Sequence, residues 1–395
     1  MIDAGQRVLF ICGSLVPGKA GVGDYCRRLA VELIRSGIEV KLVSVSDNGV
    51  SELTSATQEE LGIAVPVVRI PAGQPIRQQF SNLQAAMDAF APDLVSLQYV
   101  PYSFNKYGIP LDFIRRLKGL RYQGRWHLMF HELWITKFRP GQLPKDMTVA
   151  WLQKQSARFL CRTLRPDTIH TNLPVHRDRL RTQSIEALPL PLFANIHPAD
   201  DVTPPPTDEE NFFRIGYFSQ LIVERTIPLL KSVDRWLKET GDRKLEIVLL
   251  GSGDKKVAEA SDLLKHSFPD CRIIAPGFLP ADELSAYLYT LKLGISPVDH
   301  HLLGKSGTVA AFLVHRVPVA APFVTEDGPS SFVPEVSRAI IEQFTPDKFA
   351  AASQAIRELD VDVISARRIA DRFISDLQLK TSTQGPLTAS EQAHQ

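Results

Sequence analysis

The chain has 395 residues, 44% of them apolar and 23% charged, the composition of an ordinary globular protein and a length suited to two domains of roughly 150–200 residues each. No apolar run approaches the roughly 20 residues that span a bilayer. The four cysteines, Cys12, Cys26, Cys161 and Cys271, lie far apart without a CxxC pair, which argues against a metal ribbon or a disulfide framework. The 45 Lys and Arg nearly balance the 44 Asp and Glu, a net charge of +1. That balance hides an asymmetry: residues 100–185 hold 16 basic and 5 acidic side chains, hence +11, and everything else totals −10. Such a polarity fits either an anionic partner or a solvated helical face.

The opening MIDAGQRVLFIC lacks the charged, apolar and small-residue regions of a secretory leader, so a cytoplasmic location is expected. RVLFIC (7–12) reads as a buried strand, and GVGDYCRRLAVELIRSG as a helix. In that helix Val22, Cys26, Leu29, Ala30 and Leu33 form one apolar stripe, and Gly37 follows as a C-terminal cap. Strands follow at VKLVSVS (40–46), VPVVRI, DLVSLQYV, WHLMFHEL and DTIHTN. Near-continuous apolar strands separated by helices predict a parallel sheet covered on both faces. From Pro189 to Glu210 the pattern breaks into LPLPLF and DVTPPPTDEE, where Pro204, Pro205 and Pro206 exclude a helix or a central strand. This segment, 189–210, is expected to be an interdomain linker.

A second alternating series starts at FRIGYFS (213–219), continues through TIPLLKSVDRWLKETG and LEIVLLG, and includes CRIIAPGF, LGISPV and VPVAAP as strands. Two successive series predict two doubly wound sheets. Residues 346–378 read as helices, and the polar 379–395 as a disordered tail. The expected domains are therefore 1–188 and 211–360, with a C-terminal helix at 361–378 crossing back to the first. Asp360-Val361-Asp362 reads as a helix start rather than a metal motif.

Five segments carry candidate chemistry. GSLVPGKAGVGDY follows the first strand; its glycines allow close backbone approach, and a helix N-terminus offers amides to phosphate. The same glycines also suit a tight strand–helix turn, and the segment is not a GxGxxG fingerprint. His131-Glu132 ends the strand WHLMFHEL, and strand carboxyl ends are where active residues collect in open α/β sheets. Arg225, in SQLIVERTIPLLKSV, can clamp a phosphate through two parallel hydrogen bonds or stand as the solvated first turn of a helix. APGFLPADELSAYL places Phe278 and Leu279 after Gly277, at a turn that also admits a purely structural reading. In LGISPVDHHLLGKSGTVAAFLVHRVPVAAP, Lys305-Ser306-Gly307-Thr308 opens a helix, where amides and a hydroxyl can hold a phosphate. His300-His301 stand without a second ligand cluster.

In this order, over about residues 7–375, the segments resemble the GT-B glycosyltransferases, and within them glycosyltransferase family 4. The resemblance implies an α/β fold of two doubly wound Rossmann-like domains facing a cleft. It implies transfer of a sugar from a nucleoside diphosphate sugar to an acceptor hydroxyl, without a metal and without a cofactor beyond that co-substrate, and with retention at the anomeric carbon. Gly37-Ile38-Glu39-Val40 resembles the family's turn after its Gly-rich loop. By the same resemblance His131, Arg225 and Lys305 are the catalytic candidates. Gly21, Gly23, Gln220, Phe278, Leu279, Ser306, Gly307 and Thr308 would contact the donor, and Asp24 and Glu132 would lie on the acceptor side. The chain departs from the pattern at three places. Gln220 replaces the usual arginine, Glu132 the usual aspartate, and Leu303 and Ala311 stand where paired glutamates are expected. The departures keep two other readings open, a catalytically silent binding subunit and a nucleotide-sugar epimerase of the same fold. A glycan or lipid-linked acceptor is expected on the N-terminal domain. Its basic stretch 111–126, in which Arg115, Arg116, Lys118, Arg121 and Arg125 interleave with Leu111, Phe113, Ile114, Leu117, Leu120 and Trp126, suits either an anionic membrane at its inner face or an amphipathic helix. No nucleic-acid module accompanies it.

Overall fold

The computed structural model describes residues 6–136, 141–194, 196–199, 201–241, 243–326 and 328–381; most of the expected tail lies outside them. The chain forms two compact units, one made of residues 1–172, 176–190 and 366–395, the other of 173–175 and 191–365.

The first unit runs β1 (Arg7–Cys12), α1 (Gly21–Arg35), β2 (Glu39–Asp47), β3 (Thr54–Glu60), β4 (Ile63–Pro71), α2 (Ile76–Phe90), β5 (Leu94–Tyr99), α3 (Pro101–Phe104), α4 (Leu111–Lys118), β6 (Arg125–Phe130), α5 (Leu143–Leu164), β7 (Thr168–Thr171), α6 (Pro174–Arg181) and β8 (Leu188–Pro189). The second runs β9 (Phe212–Phe218), α7 (Ile227–Thr240), β10 (Lys244–Leu250), α8 (Asp254–Ser267), β11 (Arg272–Gly277), α9 (Ala281–Tyr289), β12 (Leu293–Ile295), α10 (Gly307–Val314), β13 (Val319–Ala320), α11 (Pro334–Arg338), β14 (Ile340–Ile341) and α12 (Pro346–Glu358). The last helix, α13 (Ala366–Leu377), belongs to the first unit.

The strand order of the second sheet is β11-β10-β9-β12-β13-β14, every pair parallel. Counted within the unit this is 3-2-1-4-5-6, the doubly wound order. The first sheet is β3-β4-β2-β1-β5-β6-β7-β8, the same winding with two additions: β3 pairs antiparallel with β4 at one edge and β8 pairs parallel with β7 at the other. The expected pair of doubly wound α/β sheets is present. In each sheet the order reverses beside the first strand, between β1 and β5 and between β9 and β12, and crevices for ligands open at the carboxyl ends of strands flanking such a reversal.

Local chemistry explains the elements. α1 buries Cys26, Leu29, Ala30 and Leu33, and Gly37 takes φ +78° after its end, a backbone state costly for other residues. β1, β5 and β6 are buried almost throughout, as a parallel sheet covered on both faces requires. The proline-rich stretch expected as a linker has no helix or strand among its described residues after β8, and it packs on the second unit. There Phe193 and Ala194 are buried, Pro206 O accepts from Arg214 Nη2 at 2.9 Å, and Glu209 pairs with Lys292 at 2.7 Å. Asp360 accepts from the Asp362 amide at 3.0 Å and caps the short turn Val361–Ile364, as a helix start should. Cys12 and Cys26 are buried, and all four cysteines are free thiols.

Among the buried polar side chains of the first unit are His127 on β6 and His170 on β7. Burial pushes the imidazole of His127 well below the ordinary histidine range, with His170 and His131 adding to the effect. Burial lowers His170 too, against the opposing Asp376 carboxylate. Both rings are therefore neutral in the folded chain, while the unfolded chain takes up protons near pH 6.5. The unfolded state then binds more protons, so stability falls as pH drops below about 6.5, by about 1.4 kcal/mol per pH unit for each ring that stays neutral. Urea titrations of the native chain at pH 7.5, 6.5 and 5.5 measure this; a flat profile contradicts it.

Candidate active site

In the second unit, the candidate site begins where β9 ends. Tyr217, fully buried, hydrogen-bonds Thr226 through its hydroxyl, and Thr226 Oγ1 donates back to Val223 O at 2.8 Å. Those bonds pin the single turn Val223–Arg225 between the strand and α7. Arg225 is thereby presented at the carboxyl edge, 40% exposed. Its guanidinium lies 3.8 Å from the ring centroid of Phe323, donates to Pro297 O at 3.3 Å and stands 3.6 Å from Asp299. Pro297 and Asp299 follow β12, so Arg225 sits at the reversal between β9 and β12. Stacking and one carbonyl fix the plane of the fork and leave it accessible, the arrangement suited to a bidentate anion.

The turn His300–Lys305 continues from β12 and delivers the chain to α10 on the same carboxyl edge. Ser306 is the N-cap of that helix: its Oγ accepts from the Val309 amide at 3.3 Å and lies 2.8 Å from Thr308 Oγ1. With the Val309 amide satisfied by the cap, Gly307 and Thr308 carry amides that no carbonyl of the helix can accept. From Val309 to Val314 α10 is wholly buried, so its axis is fixed and its N-terminal positive end points at one place. Lys305 and Thr308 are half-buried beside it. Gln220 is exposed just after Ser219, a residue at φ +68°. Phe278 is 76% exposed after Gly277 at φ +82°, whereas Leu279 packs on the second core. His300 faces Glu342 at 3.1 Å and His301 faces Glu326 at 3.6 Å, so the two rings turn to different carboxylates.

In the first unit, the loop after β1 is held from below. The buried Asp47 carboxylate takes hydrogen bonds from the Leu15 amide at 2.9 Å, the Gly49 amide at 2.9 Å, Ser44 Oγ at 2.8 Å, and Arg69 through both Nε at 3.0 Å and Nη2 at 2.9 Å. Arg27 Nη1 reaches Leu15 O at 3.0 Å. Gly23 explains itself by packing: a Cβ there would fall 2.5 Å from Ser14 O, too close for any other residue. Gly21 looks onto open space. Asp24 closes the loop, accepting from the Gly18 amide at 3.0 Å and pairing with Arg27.

His131 follows β6, its amide bonded to Tyr99 O at 3.1 Å. The ring is 4% exposed, meets Tyr25 edge-on at a centroid distance of 5.1 Å, and places Nε2 2.8 Å from Gln98 Oε1. Glu132 is half-buried beside it.

The basic stretch 111–126 is corrected in one respect. Phe113, Ile114, Leu117 and Trp126 are buried in the first core, so they have no apolar surface to offer a bilayer. Its cations are largely matched: Arg116 with Asp112 at 3.6 Å, Arg121 with Asp88 at 2.9 Å, Arg125 with Asp167 at 3.0 Å. Within it α4 is an amphipathic helix with one buried and one wet face, and Arg125 and Trp126 open β6. Sequence reading missed a different surface, Leu143, Met147 and Trp151 on α5, which are 50%, 53% and 57% exposed. Their i, i+4, i+8 spacing puts them on one face. That stripe was readable, but next to a helix so rich in Lys and Arg it was masked by charge. No helix among the described residues is long and apolar enough to cross a membrane.

Residues 20–195 match the family model described as a glycosyl transferase 4-like domain. No curated protein matches the sequence significantly. Solved structures share the whole fold at low identity. Anabaena HepE in complex with UDP and glucose is 13% identical, with a TM-score of 0.58 over 94% of this chain and 99% of that one. The α,α-trehalose 6-phosphate synthase of Burkholderia multivorans is 10% identical, with a TM-score of 0.52 over 94% and 98%. UDP-GlcNAc 2-epimerase from Methanocaldococcus jannaschii is 11% identical, with a TM-score of 0.53 over 94% and 99%. The chain thus has the GT-B fold, and its residues 20–195 are similar to a glycosyl transferase 4-like domain.

Proposed function

We propose that the protein is a glycosyltransferase that takes its sugar from a nucleoside diphosphate donor and passes it, with retention and without a metal ion, to an acceptor hydroxyl. The observation that carries this reading is the carboxyl edge of the second sheet. A fixed, accessible guanidinium at Arg225 and the amide-bearing start of α10 at Ser306–Thr308 follow adjacent strands, β9 and β12. Departure of the diphosphate is the step that develops charge, and preorganised amides and cations stabilise it most effectively. Lys305 adds a second cation, Phe278 an exposed ring for the base, and Gln220 a neutral hydrogen-bonding side chain. In the first unit, His131 is assigned a catalytic role, Glu132 and Asp24 the acceptor side, and Gly21 close backbone approach; Gly23 is accounted for by packing alone.

The epimerase among the structural relatives keeps a second reading open, and the activity assay separates the two. Calorimetric titration with UDP-, GDP-, ADP- and dTDP-sugars should give saturable binding to one nucleotide. Incubation with that donor should then release the nucleoside diphosphate, its sugar passing to an acceptor hydroxyl or, where none is supplied, to water, rather than yield an isomerised nucleotide sugar. Absence of binding to all four rejects the donor site.

For the acceptor, the α5 stripe points to a lipid-linked glycan, its apolar part resting on Leu143, Met147 and Trp151. The basic stretch 111–126 contributes only the electrostatic half of contact with an anionic inner-leaflet surface. Replacing the three apolar residues together by serine should leave donor binding unchanged. It should also weaken co-sedimentation with anionic vesicles by about tenfold, since exposing rather than burying that much apolar area costs more than 1.4 kcal/mol. Equal sedimentation of the parent and the variant rejects the stripe as a lipid contact.

A further inference from the structure

Behind His131 the first unit contains a line of hydrogen-bonding side chains buried in an otherwise apolar sheet. His131 Nε2 lies 2.8 Å from Gln98 Oε1, and Gln98 Nε2 lies 2.7 Å from Ser96 Oγ. Ser96 Oγ lies 2.7 Å from His127 Nδ1, and His127 Nε2 lies 2.9 Å from His170 Nδ1. His170 Nε2 lies 3.1 Å from Asp376 Oδ2 on α13. From β6 the line crosses to β5, returns through β6 and β7, and ends on the last helix. Ser96, Gln98, His127 and His170 are at most 1% exposed.

The direction of every hydrogen in this line follows from its one ionised member. A carboxylate only accepts, so His170 Nε2 must carry its hydrogen and Nδ1 its lone pair. His127 then donates from Nε2 and accepts at Nδ1, where the only remaining donor is the Ser96 hydroxyl. Having donated, Ser96 must accept, so Gln98 faces it with the amide NH2 and turns its carbonyl to His131. His131 therefore holds its hydrogen on Nε2 and its lone pair on Nδ1. Arg372 Nε, 3.4 Å from Asp376, supports the ionised end, and the His170 hydrogen bond holds that carboxyl below the usual range. Gln98 cannot pass a proton on as a histidine can, so the line orients but does not conduct.

We propose that Ser96, Gln98, His127, His170 and Asp376 are positioning residues that lock His131 into its Nε2–H tautomer, with the C-terminal helix as the anchor. A buried network is retained at a cost unless every member is satisfied, and here every link has one donor and one acceptor. Its relevance to catalysis rests on His131 having the role proposed above; its existence does not. The arrangement makes α13, which the chain reaches only after completing the second unit, a requirement for the orientation of a ring some 245 residues earlier (376 − 131).

Long-range proton–nitrogen spectra of the full chain with 15N-labelled histidine read tautomers directly. In the native chain at pH 7.5, His131, His127 and His170 should each appear as pure Nε2–H. In Asp376→Leu all three should become mixtures, and turnover should fall about tenfold with the donor KM unchanged, the scale typical of an outer orienting partner. Ser96→Ala, a smaller change deep in the sheet, breaks the line in the middle: His131 should become mixed while His170 keeps its hydrogen on Nε2. That split separates orientation from general damage to the core. A native His131 with its hydrogen on Nδ1, or a His131 signal unmoved in Ser96→Ala, overturns the proposal. The tautomer result stands whatever the donor titrations return, so the two readings fail separately.

Discussion

Arg225→Ala should lower kcat/KM for sugar transfer by about 100–1000-fold, or about 2.7–4 kcal/mol, the range for removing one preorganised donor from a developing negative charge. The same change should affect stability less. Arg225 is 40% exposed, and it gives up one carbonyl bond at 3.3 Å, the Phe323 stacking contact and a part-exposed ion pair with Asp299 at 3.6 Å, a loss of roughly 1–2 kcal/mol at such a site. The contrast is what makes this residue the better probe. Ser306 also lies at the proposed diphosphate site, but its hydroxyl caps α10, so Ser306→Ala would combine catalysis with about 0.5–2 kcal/mol of helix loss. Arg225→Lys retains charge without the planar fork or the stacking, and should recover only part of the rate. Initial rates with saturating acceptor, together with calorimetric affinity for the nucleotide selected by the four-donor titration, measure both. If that affinity and turnover in Arg225→Ala equal those of the parent, the guanidinium is the solvated first turn that the sequence also allowed.

Most of the sheet framework could be read from apolar runs, because a parallel strand covered on both faces has no polar positions to blur it. The exceptions are physical. β3 is TSATQEE, a polar edge strand with four of its seven residues exposed and none buried; it is held by antiparallel pairing to β4 across the left-handed Leu61–Gly62 turn, and no hydrophobic period announces it. The start of α10 was legible because Gly304, Lys305 and the N-cap Ser306 stand before a helix that is apolar from Val309 onward. The meaning of Gly23 was not: its need for glycine comes from Ser14 O, a contact made only once the loop has folded back. Likewise, the cations of 111–126 could be counted in sequence but not paired, since Asp88 and Asp167 reach them from distant elements. Polar letters inside apolar strands were the neglected signal. Ser96 and Gln98 in LVSLQY, His127 in RWHLMF and His170 in TIHT each had to be satisfied by something, and together they form the line to Asp376.

The largest effect on stability is expected from Asp47→Asn. Five hydrogen bonds converge on that carboxylate, including the two-pronged contact from Arg69, and it is fully buried. An amide in its place presents two hydrogens to a pocket that offers only donors, so at least one pair must face each other unbonded and Arg69 loses its counter-charge. Breaking a buried pair in this way costs about 3–5 kcal/mol, a large share of the 5–15 kcal/mol that holds a typical domain. The acid limb of the stability curve supplies an independent check. Burial alone would raise the Asp47 carboxyl, but the Arg69 fork, the amides of Leu15 and Gly49 and the Ser44 hydroxyl outweigh it and hold it far below the usual range. A depressed carboxyl gives stability that is complete above its unfolded value near pH 3.9 and is lost as pH falls from there toward the folded value. The native chain should therefore lose this component below about pH 4, and Asp47→Asn, already without it, should show a shallower slope there. Because the Leu15 amide is one of the five donors, the variant should also loosen the loop at 13–20 and lower turnover at temperatures where the fold persists. Urea denaturation at pH 7 and again between pH 4 and 3 reads both effects; a variant as stable as the parent at pH 7 would mean that the loop is held by Arg27 and Gln58 through Leu15 O instead.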